Sequence, residues 1–108
     1  MRQVLVNLIN NALEAVREVA EPQIVLSLGR KMEQADKKIV ITVLDNGSGI
    51  PAAKRSQVFE PYFTTRKDGT GLGLAIVNRI VNEHGGQIRV LDGTKTGTKF
   101  EIQLPEVT

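Results

Sequence analysis

The apolar residues Val4, Leu5, Leu8, Ile9, Ala12, Leu13 and Val16 recur at the steps that line one face of an α-helix. They predict an amphipathic helix from Arg2 to about Val19, closed by Pro22. Two β-branched runs follow, Gln23 to Lys31 and Lys37 to Leu44, and both read as strands. The second contains the nearly continuous apolar stretch Ile39-Val40-Ile41-Thr42-Val43-Leu44, and the polar link Met32 to Asp36 suits a hairpin. Asp45 to Pro51 is dense in breakers and reads as a loop. A short helix is expected from Ala52 to Val58, with Pro51 at its first position. Pro61, Asp68 and Gly69 make Glu60 to Thr70 irregular, and Leu72 to Glu83 is a second amphipathic helix that Gly85-Gly86 ends. Strands at Gln87 to Leu91 and Thr98 to Leu104 flank a turn over Asp92 to Gly97, and Pro105 stops the last one. This order, αββαα followed by ββ, predicts an α+β fold: a two-layer sandwich with helices on one face of a sheet.

Size and charge narrow the classes. At 108 residues the chain holds one core. A net charge of +2, with no basic run interleaved with aromatics, argues against nucleic acid. The absence of cysteine removes disulfide frameworks, thiolate metal sites and cysteine nucleophiles together. No apolar run approaches the length of a membrane span.

Three groups of residues carry candidate chemistry. Asn7, Asn11 and Glu14 share a stripe on the first helix, with Asn10 beside it. Either the stripe is a solvated polar face, or its amide oxygens are ligands for a hard cation such as Mg²⁺, which takes one or two protein oxygens beside phosphates and water. Asp45-Asn46-Gly47-Ser48-Gly49 follows a buried strand. It reads equally as a simple turn or as a carboxylate for an exocyclic amine, beside glycines that admit a flat ligand. Gly69-Thr70-Gly71-Leu72-Gly73-Leu74 runs into a helix, where backbone N–H groups can hold phosphate. It lacks the Gly-Lys-Ser/Thr of a P-loop and the third glycine of a dinucleotide fingerprint.

In combination and order these groups resemble the Bergerat-type ATP-binding fold shared by gyrase, Hsp90, MutL and histidine kinases. Arg2 to Ala12 is similar to the kinase N box, and Asp45 to Pro51, including Ile50, to the G1 box. Val58-Phe59-Glu60-Pro61-Tyr62-Phe63-Thr64-Thr65 is similar to the F box, Gly69 to Leu74 to the G2 box, and Gly97-Thr98-Lys99-Phe100 to the strand entry that ends such domains. The resemblance covers nearly the whole chain and implies a mixed sheet. It also implies that this is one domain, 1–108, slightly truncated at its N-terminus and lacking a dimerisation and phosphoacceptor domain.

The resemblance assigns roles to individual residues. Asn11 matches the Mg²⁺ ligand and Asp45 the adenine anchor, with Gly47, Gly49 and Ile50 beside the base. Phe59, Thr65, Thr70, Leu72, Leu74 and Thr98 fall at matching cofactor-binding positions. Gly69, Gly71 and Gly73 match the hinges of an ATP lid that spans about Pro61 to Gly69. Asn7 stands where ATPases and serine kinases of the fold carry a catalytic glutamate. An amide is no general base, so transfer to a nucleophile activated elsewhere is implied rather than hydrolysis. The match breaks after Asn11: Glu14 and Ala15 replace the lysine and aromatic of many histidine kinases, and Arg66 and Lys67 are the substitute phosphate cations. The segment Tyr62 to Gly69 resembles sensor kinases of the nitrogen-regulation type. His84, the sole histidine, matches a structural His-Gly-Gly and not the phosphoacceptor.

The implied activity is that of a protein-histidine kinase. The domain would bind Mg-ATP and pass the γ-phosphate to a histidine on a separate dimerisation and phosphotransfer domain, reaching a response regulator only indirectly. The isolated domain is expected to be a cytoplasmic monomer, whether its parent is soluble or membrane-anchored. Two alternatives remain at this point: a nucleotide-dependent interaction switch without transfer, and a serine/threonine kinase of the same fold.

Overall fold

The computed structural model of the chain describes residues 1–61 and 73–106. Helix α1 (Arg2–Ala15) leads into the hairpin of β1 (Ile24–Glu33) and β2 (Asp36–Asp45). After a 3-10 turn at Ala52–Lys54 come helix α2 (Gly73–Glu83) and the hairpin of β3 (Gln87–Asp92) and β4 (Thr98–Pro105). The sheet order is β1-β2-β4-β3.

All three pairings are antiparallel, which corrects the expected mixed sheet for the described residues. The cause is topological. β2 and β3 run in the same direction, but β4 is inserted between them, so the crossover through α2 never creates a parallel ladder.

The core lies between the sheet and the helices. Val4, Leu8 and Ala12 of α1 and Val77 and Val81 of α2 meet Ile41, Val43, Phe100 and Ile102 of the two central strands. Each large side chain so buried contributes about 1.5–3 kcal/mol of transfer free energy. The other face of the sheet carries polar pairs at its centre, with Thr42 opposite Glu101 and Glu101 opposite Arg89. α1 packs on β2 and α2 on β3, which leaves Leu26, Leu28 and Met32 of the edge strand exposed.

Several boundaries differ from the sequence reading. α1 stops at Ala15 instead of near Val19, and Val16 is buried just beyond it. The backbone of Gly47 presses there: a Cβ on Gly47 would lie 2.4 Å from the Ala15 carbonyl oxygen. The first hairpin zips further, pairing Glu33 with Asp36 across Gln34 (φ 57°) and Ala35. Continuing the ladder satisfies backbone groups that a longer polar loop would leave to water. The helix expected over Ala52 to Val58 is a single 3-10 turn followed by further turns. Its bonds run three residues back, Arg55 N–H to Ala52 and Gln57 N–H to Lys54. So short a segment gains little from helix propagation, and its shape follows its anchors, buried Val58 and Phe59 packed on the core. The last strands are each one residue longer than expected, β3 reaching Asp92 and β4 reaching Pro105.

Candidate functional site

The site is built at the end of β2. Side chains alternate along this strand, so the helix-covered face that buries Ile41 and Val43 also buries Asp45, which is only 3% exposed. One step beyond the last β2–β4 pair, Leu44 with Lys99, the register sets Asp45 beside Thr98. Thr98 is buried as well and pairs with Asp92. A row Ile24–Asp45–Thr98–Asp92 therefore crosses the end of the sheet, with two buried polar residues at its centre.

The loop after Asp45 is held from several sides. Asp45 Oδ1 accepts the Gly47 N–H at 2.9 Å. Asp45 Oδ2 takes no partner among the described residues. Asn46 reaches back to the segment before β1: its Oδ1 accepts Gln23 N–H and its Nδ2 donates to the Glu21 carbonyl, both at 2.9 Å. Gly97 (φ +93°) lies so close to the loop that a Cβ there would sit 2.0 Å from the Asp45 carbonyl oxygen. Gly49 packs in turn against Gly97. Ile50 and Phe59 lie against the core, with Phe59 edge-on to Phe100 at a centroid separation of 6.3 Å. A depression of about 370 Å³ at the same end is lined partly by Val25 and Leu44. Those residues alternate onto the outer face, and Asp45 and Asn46 themselves also border the depression.

α1 brings the amides to the other side. Asn7 and Asn11 are half-buried, one turn apart. Asn7 Oδ1 accepts Gln3 Nε2, and Asn7 Nδ2 donates to the Gly73 carbonyl at 3.1 Å, tying α1 to the first residue of α2. A Cβ on Gly73 would touch nothing within 4 Å, so its carbonyl, not its lack of a side chain, is what this contact uses. Leu74 packs against the core. Glu14 points away into an exposed ion pair with Arg17, which separates it from the amide stripe. Thr65, Arg66, Lys67, Gly69, Thr70, Gly71 and Leu72 lie outside the described residues.

His84 closes α2. Gly86 N–H bonds to the Val81 carbonyl and Gly85 N–H to Asn82, a Schellman ending. The His84 Nδ1 lies 2.8 Å from the Ile80 carbonyl, a hydrogen bond only when Nδ1 carries the proton.

The site draws on residues the motifs do not single out. Arg55 donates through Nε to the Ile50 carbonyl and forms an ion pair with Asp92. Nothing in the sequence marks this arginine, since a basic residue in a short polar segment reads as solvated. Gly97 carried a signal, standing directly before the threonine that opens β4.

A buried carboxylate beside a glycine loop, facing a helix that carries two amides, marks a ligand-binding α+β domain. The chain belongs to the histidine kinase-, DNA gyrase B- and HSP90-like ATPase family, whose model matches residues 1–108. It is similar to the sensor histidine kinase ZraS of Salmonella typhimurium, 42% identical over 107 residues, covering 99% of this chain and 22% of that protein. The nitrogen regulation protein NtrY of Azorhizobium caulinodans is 46% identical over 93 residues, covering 83% of this chain and 12% of NtrY, in accord with the nitrogen-regulation resemblance. The crystal structure of full-length ShkA in complex with AMPPNP shares the fold, with a TM-score of 0.75 and 29% identity over 99% of this chain and 21% of ShkA. The chain thus spans about a fifth of the length of the curated relatives it matches.

Proposed function

We propose that this chain binds Mg-ATP and presents its γ-phosphate to a histidine on a separate dimerisation and phosphoacceptor domain, as the catalytic part of a sensor kinase. The observation that carries this reading is Asp45. It is a buried carboxylate with one oxygen committed to Gly47 and the other left for a donor, the complement of an adenine amine. Thr98 extends the polar row, and Gly47 and Gly97 let the loop pack closely on α1 and on β4, which fixes the backbone beside Asp45. The AMPPNP found with ShkA supports a nucleotide here.

The amide of Asn11 suits Mg²⁺, a hard cation that prefers neutral or anionic oxygen. When bound, the ion would neutralise phosphate charge and orient the leaving group. Asn7 supplies no base, so the domain holds and orients ATP while the acceptor must be activated by its own surroundings. Arg66, Lys67 and the glycines from Gly69 onward are proposed to complete phosphate binding, with Thr65, Thr70 and Leu72 beside them. The response regulator would be reached only through the phosphorylated histidine. Among the described residues no helix is long and apolar enough to cross a membrane, and a cytoplasmic position beside the ATP supply is proposed.

The test is transfer from γ-labelled ATP. The isolated domain should label itself hardly at all and should label an added helical acceptor domain from a cognate kinase. The product should be acid-labile and base-stable. An acid-stable label would point to a hydroxyl acceptor, and self-labelling lost in His84→Gln would make this chain its own acceptor.

A further inference from the structure

Two parts of the chain far apart in sequence meet at Arg55, the segment from Ile50 to Arg55 and the end of β3 at Asp92. Its side chain is 27% exposed, whereas that of its partner Asp92 is 84% exposed. An ion pair open to water on one side adds little to stability, so stability does not account for the contact. The contact does fix direction. With one end of the planar guanidinium held by Asp92, the Nε–H is aimed at the Ile50 carbonyl, 3.3 Å away. Ile50 closes the loop that starts at Asp45, and Asp92 ends the same cross-sheet row that contains Asp45 and Thr98. The loop is thereby fastened at both ends to one row of the sheet. Asp45 holds it through Gly47, and Asp92 holds it through Arg55 and Ile50.

We propose that Arg55 and Asp92 are a positioning pair for nucleotide binding: the guanidinium, oriented by the carboxylate, holds the Asp45–Pro51 loop in the shape that receives the base. Neither residue touches the base in this scheme. The proposal rests on the nucleotide reading above and adds a determinant of affinity outside the motifs. It also places a salt-sensitive link in the site, because Asp92 is exposed to screening while Asp45 is not.

The experiment measures ADP binding by calorimetry for the wild-type chain, Arg55→Ala, Asp92→Asn and the double variant. It adds nitrogen–proton spectra of each protein without nucleotide. Arg55→Ala should raise the Kd roughly tenfold, the loss expected for a charged hydrogen bond. Asp92→Asn should raise it by a smaller factor, and the double variant should be no worse than Arg55→Ala alone. The Gly47 and Gly49 amide resonances should move in both single variants before any nucleotide is added. That displacement and the non-additivity are readouts that a general loss of stability would not produce. Arg55→Lys should recover little, because one ammonium cannot serve the carboxylate and the carbonyl in a fork. Unchanged ADP affinity in folded Arg55→Ala overturns the proposal, and so do additive losses in the double variant. If Arg55→Ala does not fold, Asp92→Asn decides alone, through its Kd and its loop amides. If the wild-type chain takes up no ADP, the nucleotide reading fails instead, and the amide shifts still show whether the pair shapes the loop.

Discussion

Replacing Asp45 by asparagine changes one oxygen to an NH₂ group and leaves the side-chain shape almost intact. In the folded chain Oδ1 is committed to the Gly47 N–H, and an asparagine can keep that bond by presenting its own oxygen there. The NH₂ is then forced to the position of Oδ2, where it faces the amine of the base, donor against donor. A hydrogen bond to a charged acceptor is worth about 1.5–3 kcal/mol. The site is 3% exposed, so water cannot fully substitute. The expected loss in affinity is roughly ten- to a hundredfold. It should be the same for ADP and ATP, because the base is common to both and the perturbation lies far from the phosphates. Titration calorimetry with both nucleotides measures it, with thermal unfolding as the check that the variant is folded. A folded Asp45→Asn protein with wild-type ADP affinity would refute the assignment of the base to this carboxylate, and a loss confined to ATP would move Asp45 to the phosphate end.

Asn11→Ala should leave metal-free ADP binding nearly intact and remove the gain in ATP affinity on adding Mg²⁺; equal losses with and without the ion would make the amide structural. Gly97→Ala forces a Cβ against the Asp45 carbonyl oxygen at φ +93°, and backbone strain of this kind costs at least about 1–3 kcal/mol. Its melting midpoint should fall by about 5 °C or more, and an unchanged midpoint would show that the contact is loose. The Arg89 guanidinium bonded to Glu101 holds that carboxyl below the usual carboxylate range, against the opposing effect of its burial. Because the folded value is the lower one, the pair stabilises the fold above the unfolded carboxylate pKa, and this is lost as pH falls through the folded value. Glu101→Gln should therefore cost about 0.5–1 kcal/mol in urea unfolding at neutral pH and nothing once the acid is protonated.

The helices and strands were legible because each buries one face. Val4, Leu8 and Ala12 mark the covered stripe of α1, and β2 shows as a nearly continuous β-branched apolar run, while the alternation that buries Asp45 appears only in the fold. The motif residues were legible because their chemistry requires particular side chains, as with Asn7, Asn11 and Asp45. Periodicity says little about where an element stops. α1 ends at Ala15 where the Gly47 backbone packs on it, and the segment after Pro51 is turned by Val58, Phe59 and Arg55, not by helix propensity.

The sequence by itself determined the two-layer class, the order of elements and the family, since these depend on local periodicity and on motifs that are contiguous in the chain. Tertiary structure alone decided the insertion of β4 between β2 and β3, the row that joins Asp45, Thr98 and Asp92, the tie from Asn7 to Gly73, and the grip of Arg55 on the loop. Each of these depends on which distant strand or helix lies alongside. Strand insertion and register set that, and no local pattern of residues encodes it.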